Sequence, residues 1–321
     1  MTGAMYSAIA GLRTHMDKLN VIGNNVANVS TNAYKTQRSV FRDSLYTMYS
    51  RGSDGSATSA GKNPSQTGFG SRLTSIDMNM ATSTYTPGRP MDCMLYGDGF
   101  FLVGDKNIEI DLSNPESAKA LTLTRLGDFE FRADGYLADG KGNAVYGFLN
   151  VESDDLGKPQ VSDQLQAIKL PEDENSPSGF LQIDGIEIDA KTGRITGTSK
   201  DTDQIITIGF IAVGNVTNPG GVEHKGDSYY SAGTGSGALT VSLLGGAATD
   251  LQVYGSSKML SEYNVSSAGA TEMITGGLEA SNVDLATEIS EMITTQRGYQ
   301  ANTRIVTITD SMLEELVNMK R

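Results

Sequence analysis

The 321-residue chain has no tryptophan, one cysteine (Cys93) and only two histidines, His15 and His224. A single cysteine excludes a disulfide framework within the chain. Neither histidine has a cysteine or a second histidine at metal-ligand spacing, so no metal site is expected. No apolar run approaches the roughly 20 residues of a membrane-spanning helix, and membrane insertion is not expected. The N-terminus has no apolar signal core, because Arg13, His15, Asp17 and Lys18 interrupt it. The expectation is a cytosolic protein, or one that leaves the cell without a cleaved signal. Basic residues are scarce. The chain has 25 Lys and Arg against 38 Asp and Glu, a net charge of −13. That balance argues against nucleic acid and acidic membrane surfaces as partners. The imbalance is local: residues 1–50 hold five basic and two acidic side chains, and residues 91–220 hold 22 acidic and 10 basic. The middle of the chain reads as a solvated acidic surface. Cys93, in the apolar context MDCML, reads as a small buried side chain.

Proline is absent from both ends, and both ends are periodic. Met5, Ile9, Leu12, Met16, Leu19, Gly23 and Val26 recur at spacings of four and three, the a/d seam of a heptad. They predict a helix over about 3–27 that ends at an amide cluster, Gly23, Asn24, Asn25 and Asn28. Near the C-terminus Leu285, Ile289, Met292, Gln296, Tyr299, Thr303, Val306, Asp310, Leu313 and Val317 keep the same rhythm. They predict a helix over about 283–319, with Ser281 or Asn282 as N-cap and Asp284 in its first turn. Apolar residues also lie outside both seams, among them Ala8, Val21, Ile22, Ile293, Ile305, Ile308 and Leu316. A helix apolar on more than one stripe must meet more than one neighbour. Self-assembly through these faces is therefore expected, and an intramolecular coiled coil supporting a β domain is the alternative. Asn24, Asn25 and Asn28 would cap the helix and satisfy backbone groups at crowded crossings without burying charge. Asp310, at a seam position, would need a partner if buried.

Between the helices the sequence reads as β structure, with FFLVG, ALTLTRL and IITIGFIAVG punctuated by DG, NP and GG turns. FRADGYLADGKGNAVYG reads as two hairpin turns. DGKGN (139–143) lacks the closing glutamate of a calcium loop and reads as a turn. GDGF (97–100) lacks the lysine of a phosphate loop and also reads as a turn. Residues 50–68 and 231–238 read as weakly ordered. No G-x-S-x-G elbow or other nucleophile constellation is present, so no catalytic residues and no cofactor are expected. The fold class is α+β. Its helices form a discontinuous domain (1–45 and 275–321), residues 46–75 connect, and 76–274 form a β-rich body.

MYSAIAGLRTHMDKLNVIGNNVANVSTNAYKTQRSVF and GLEASNVDLATEISEMITTQRGYQANTRIVTITDSMLEELVNMKR resemble the two terminal signatures of the flagellar rod and hook family. Between them NPSQTGFG, TPGRPMD, GDGFFLV, TRLGDFEFRADGYLADGKGNAVYG and IGFIAVGNVTNPGGVEHKGDSYY follow in that family's order. The resemblance implies a structural subunit of the bacterial flagellum, polymerised with helical symmetry. It implies terminal helices around an export channel and β domains in the outer wall. It also implies export by the type III apparatus and contacts with other axial proteins (rod, hook cap, hook–filament junction). Within the family, TPGRPMDCMLYGDGFFLV after GSATSAGKNPSQTGFG looks like the hook subunit, which transmits torque from rod to filament. The distal rod subunit is the alternative, because the middle is too short for a full additional outer domain and residues 239–274 are longer than the usual linker. Outside the family, the alternative is a soluble β-rich binding module with a helical stalk.

Overall fold

The computed structural model describes residues 2–55, 60–108, 110–111, 117–153, 159–172, 179–200, 204–254, 256, 258–263, 265–268 and 271–319. Its helices are α1 (Thr2–Ala27), the single turn α2 (Ala247–Asp250) and α3 (Leu285–Met319). Strands are the dominant regular structure between α1 and α3, so the chain is a mixed α+β protein with a helix at each end. It divides into two compact units. One combines Met1–Val29, Thr36–Asn79 and Val283–Arg321, and the other combines Ser30–Lys35 with Met80–Asn282.

In the first unit α1 and α3 run antiparallel. Lys18 Nζ meets Glu291 Oε2 at 2.9 Å, and Asn25 Nδ2 donates to Glu288 Oε1 at 3.1 Å. Further along, His15 lies against Gly298 and Asn302 against Gly11. A Cβ on Gly298 would lie 2.7 Å from the His15 ring, and one on Gly11 would lie 2.6 Å from Asn302 Nδ2. Glycine inside a helix costs about 1 kcal/mol relative to alanine. At both positions the missing side chain makes room for a neighbour from the facing helix.

Four strands complete this unit: β1 (Gln37–Asp43), β2 (Tyr46–Ser50), β3 (Ser65–Gly68) and β4 (Ser71–Met78). β1 pairs antiparallel with β4, and β2 with β3. Ser44 N–H to Gly70 O, Phe69 N–H to Leu45 O and the Ser53/Lys62 bridge make the two pairs one continuous ribbon. The ribbon lies along α1, where Thr14 Oγ1 meets Ser71 Oγ at 3.2 Å. Gly70, at φ +93°, packs on the Ser7–Ala10 turn, where a Cβ would lie 3.0 Å from Ser7 O. The expectation of weak order over 50–68 is corrected for the described residues there. Both faces of β2 are exposed, so the ribbon lacks the apolar alternation by which a half-buried strand is recognised.

The amide cluster is resolved residue by residue. Gly23, Asn24 and Asn25 lie within α1, which continues to Ala27. Asn25 is buried and pairs with the Gln37 backbone as a strand neighbour would: Nδ2 donates to Gln37 O at 2.9 Å and Oδ1 accepts Gln37 N–H at 3.0 Å. The same amide also reaches Glu288, so one side chain joins α1, β1 and α3. Asn28 follows the helix and donates to Asn24 O at 2.9 Å, satisfying a terminal carbonyl. At α3 the cap is Asp284 rather than Ser281 or Asn282. Its Oδ1 accepts Ala286 N–H at 3.0 Å and its Oδ2 accepts the Thr287 hydroxyl at 2.6 Å. A carboxylate suits the positive end of the helix dipole.

The second unit is built of strands. β5 (Tyr85–Pro87), β6 (Cys93–Tyr96) and β7 (Phe100–Gly104) lead into it. GDGF is a tight turn between β6 and β7, with Gly97 at φ 105° and Gly99 at φ 132°. β7 pairs antiparallel with Thr122–Thr124, Ala144–Ser153 and Val213–Val216. Ile183–Ile188, Arg194–Ser199 and Ile205–Ile211 form an antiparallel meander that joins Ala144–Ser153. The core contains Leu95, Phe101, Phe129, Val145, Ile195 and Ile211, with the Phe101 and Phe129 rings edge to face at 4.9 Å. Cys93 is fully buried within it, and burial pushes its thiol up to about 12. DGKGN is a turn closed by Asp139, whose Oδ1 accepts the backbone N–H groups of Lys141, Gly142 and Asn143. Residues 231–238 carry a 3-10 turn, Thr234–Ser236, with Ser236 buried, so weak order is corrected there too.

A buried charge cluster holds the base of this unit. Lys35 Nζ meets Glu279 Oε1 at 2.7 Å, and both side chains are fully buried. Lys35 also donates to Ala81 O at 3.0 Å, and Glu279 Oε1 accepts Ser83 N–H at 3.0 Å. The buried Arg125 guanidinium donates to Leu95 O and Gly97 O and stands 3.9 Å from Glu279 Oε2. Burial lowers the Lys35 ammonium below the usual lysine range, and the facing carboxylate opposes that shift. The strand Gly277–Glu279 pairs with β5, and Ala33 N–H donates to Glu279 O at 2.8 Å.

Removing one partner of such a pair leaves a buried charge uncompensated. Lys35→Met should cost about 3–5 kcal/mol and lower the thermal midpoint by roughly 10 °C, and adding Glu279→Met should not restore it, because Arg125 and Ser83 N–H also depend on that carboxylate. A scanning-calorimetry midpoint for Lys35→Met equal to that of the wild type would show that the pair contributes nothing. Asn25→Ala should cost about 1–3 kcal/mol by orphaning the Gln37 backbone. Faster hydrogen exchange at the Gln37 amide is the specific readout, and unchanged exchange there would count against the clamp.

Candidate functional site: the outward faces of the terminal helices

The face of α1 covered within the chain is small or polar over its N-terminal half and aliphatic at Val21 and Ile22. Its buried residues include Ala8, Thr14 and Asn25, with Val21 and Ile22 near the C-terminal end. α3 buries Thr295 and Thr309, whose hydroxyls donate to Glu291 O and Ile305 O at 2.7 Å each. A threonine that satisfies its own hydroxyl on the preceding turn can be buried without an external partner. Small residues on the facing sides let the two helices approach closely.

The large apolar seam residues therefore point elsewhere. Ile9, Met16, Leu285, Ile289, Tyr299 and Val317 are exposed, Met16 at 51% and Val317 at 68%. Met5, Leu12, Leu19, Met292, Val306 and Leu313 are half-buried along the flanks of the contact. Asn24, Gln296 and Asp310 are exposed, Asn28 is half-buried and Asn25 is buried. Asp310 thus faces no desolvation problem within one chain. The heptad positions do not form the intrachain seam. They flank a contact made by the residues between them. The Ser7, Ala8, Ala10, Gly11 and Thr14 run was the available signal, and a search for large apolar residues passes over it. Beyond the seams, Ile305, Ile308, Met312, Leu316 and Met319 add a second exposed apolar stripe on α3.

The polar features of this unit are structural. Burial raises the Glu288 carboxyl above the usual carboxylate range, although its bond from Asn25 pulls the other way. Glu288, Glu291, Lys18, Arg38 and Asp77 line a groove of about 450 Å³ between α1, α3 and the ribbon. Among the described residues no three His, Cys, Asp or Glu side chains converge as metal ligands. His224 is exposed, and its Nδ1 accepts Gly226 N–H at 2.9 Å. No helix among the described residues is long and apolar enough to cross a membrane. What the helix faces offer is contact area: large apolar side chains in rows on a rigid support.

Comparison with known proteins agrees with that reading. Residues 5–35 match the family model described as "Flagella basal body rod protein", and residues 274–319 match "Flagellar basal body rod FlgEFG protein C-terminal". The two matches cover α1 with its exit and α3 with its entry. The chain is 31% identical over 322 aligned residues to the flagellar basal-body rod protein FlgG of Bacillus subtilis strain 168, covering 100% of both chains. It is 26% identical to FlgG of Caulobacter vibrioides over 97% of each chain. It is 21% identical to the flagellar hook protein FlgE of Borreliella burgdorferi, where the alignment covers both chains fully but runs to 474 positions. These relatives are structural parts of the flagellum, and the present chain is likewise a structural protein and not an enzyme. With a full-length relative at this identity and both terminal signatures matched, the chain belongs to the flagellar rod and hook protein family.

Proposed function

We propose that the protein is the distal rod subunit of the flagellar basal body, a homopolymer whose terminal helices face neighbouring copies and enclose the export channel. The observation that carries the assembly reading is the exposure of large apolar side chains along both terminal helices, including Ile289, Ile308, Met312 and Val317. A soluble monomer rarely leaves rows of such residues uncovered. Covering them with helices from other copies turns each heptad seam into one strand of a coiled coil that runs between subunits. Met5, Ile9, Leu12, Met16 and Leu19 serve on one helix, and Leu285, Ile289, Met292, Gln296, Tyr299, Val306, Asp310, Leu313 and Val317 on the other. The β-rich residues 80–282 form the outer wall. Export through the type III apparatus and end contacts with other axial proteins belong to the same reading.

The choice of rod over hook rests on two supports. The FlgG relatives match this chain over nearly their whole length without expansion, whereas the hook alignment needs 474 positions for a chain of 321 residues. Hook relatives therefore carry segments that have no counterpart here. The ribbon of β1 to β4 is also hydrogen-bonded along both arms, which suits a stiff shaft better than a slack connector. The hook reading stays second, because that relative does align with the entire chain.

Two experiments test this. Leu12→Asp or Tyr299→Asp should abolish polymerisation in sedimentation assays while circular dichroism shows the β body intact. Each puts a charge on a contact face at a cost of several kcal/mol per copy. Normal polymers from both variants would defeat the assembly reading. Electron microscopy of basal bodies from a deletion strain should show a truncated rod with no hook. A complete rod lacking only its hook would reinstate the hook reading.

A further inference from the structure

We infer that the free end of α3 seats in a specific groove of a second copy of this chain, making a directional, head-to-tail contact. The inference rests on the axial-subunit reading above and deepens it by naming the surface and the segment that fills it. α3 has 35 residues and α1 has 26. With Asn302 against Gly11, the antiparallel course brings the start of α1 level with roughly residue 311 of α3. The last turns of α3 therefore continue past α1. Ile308, Met312, Leu316 and Met319 follow at spacings of four, four and three, which places them on one face, and the last three of them lie beyond α1. Met312, Leu316 and Met319 are 52%, 43% and 78% exposed. The same turns are acidic: Asp310–Met319 contains Asp310, Glu314 and Glu315 and no basic residue, with Lys320 and Arg321 following.

The groove lies between α1 and the ribbon. It has a volume of about 690 Å³ and is lined by Tyr6, Ile9, Phe69 and Leu73 together with Arg13 and Arg72. Asp17 is its one acidic lining residue. Tyr6 is 65% exposed and Phe69 39% exposed, so both rings stand open to water within one chain. An apolar trough carrying two arginines complements an apolar stripe flanked by carboxylates, and Glu315 lies one helical turn from both Met312 and Met319. The chain's own α3 end cannot enter the trough, because it projects beyond α1 as a continuous helix. A second copy can supply it. Repeated from copy to copy, a contact between two different patches builds an open filament of fixed polarity, and the ladder expected below separates this from a reciprocal two-fold exchange.

The test uses the full chain. Leu73→Cys and Leu316→Cys are prepared separately, mixed, polymerised and oxidised. A disulfide-linked dimer above the level of either variant alone is expected, and the Leu73→Cys/Leu316→Cys double variant should give a ladder. In parallel, Arg13→Glu/Arg72→Glu should raise the critical concentration for polymerisation more than roughly tenfold, and adding Glu315→Arg should bring it back to within about threefold of the wild type. Polymers that form without the Leu73–Leu316 cross-link, or an unchanged critical concentration for Arg13→Glu/Arg72→Glu, would overturn this contact and leave the axial-subunit reading intact. Failure of the wild-type chain to polymerise at all would remove both.

Discussion

Both ends of the chain pass through one buried charge pair. Lys35 follows α1 by eight residues, and Glu279 precedes α3 by six. They meet at 2.7 Å in a site closed to water. Asn282 Nδ2 donates to Ala81 O, which also accepts from Lys35, and Ser83 Oγ donates to Ser281 O. The segments where the chain leaves and re-enters the helical unit are thus fixed to one another inside the β-rich unit. An ion pair is an expensive way to join segments, since desolvation consumes most of the Coulomb gain. The pair holds the two crossings beside one another and is tied to the neighbouring backbone at Ala81 O and Ser83 N–H.

The helical unit follows a different logic. Its internal contact relies on what is missing from the side chains. Gly11, Gly298, Ala8 and the self-satisfied threonines bring α1, α3 and the ribbon close together, and Asn25 of α1 supplies directional hydrogen bonds to the other two elements. Val21 and Ile22 are the large side chains of α1 that are buried; Ile9, Met16, Ile289, Met312 and Val317 stay exposed. In the proposed polymer such a subunit has two separable layers of specificity, an interior that sets its own shape and an apolar exterior for contacts with other copies.

That division explains how much could be read from the sequence. The two helices, the β-rich interval, the buried Cys93 and the DGKGN and GDGF turns follow from periodicity and turn chemistry, and they stand in the structure. The residues of the heptad rhythm are exposed, as at Met16 and Val317, or half-buried, as at Leu12 and Val306. The rhythm did not show that the intrachain contact lies one position aside, because periodicity reports where apolar residues fall and not whose surface covers them. The α3 cap was read at Ser281 or Asn282 and lies at Asp284, within the uncertainty that several neighbouring cap-forming residues create. The pairing of β2 with β3 has no sequence signal, because strands exposed on both faces carry no apolar alternation to detect. Nothing local marks the Lys35–Glu279 pair, whose members are 244 residues apart and belong to types that usually stay in water.

The burial of Cys93 has a consequence for the polymer of exported copies proposed above. One accessible thiol per subunit would give a polymer a periodic array of sites for covalent linkage between copies and for oxidation. Fully buried and held as the neutral thiol, with its ionisation pushed up to about 12, this sulfur is withheld from that chemistry. The chain can keep a cysteine as core filling and leave no accessible thiol for linkage between copies in the proposed polymer.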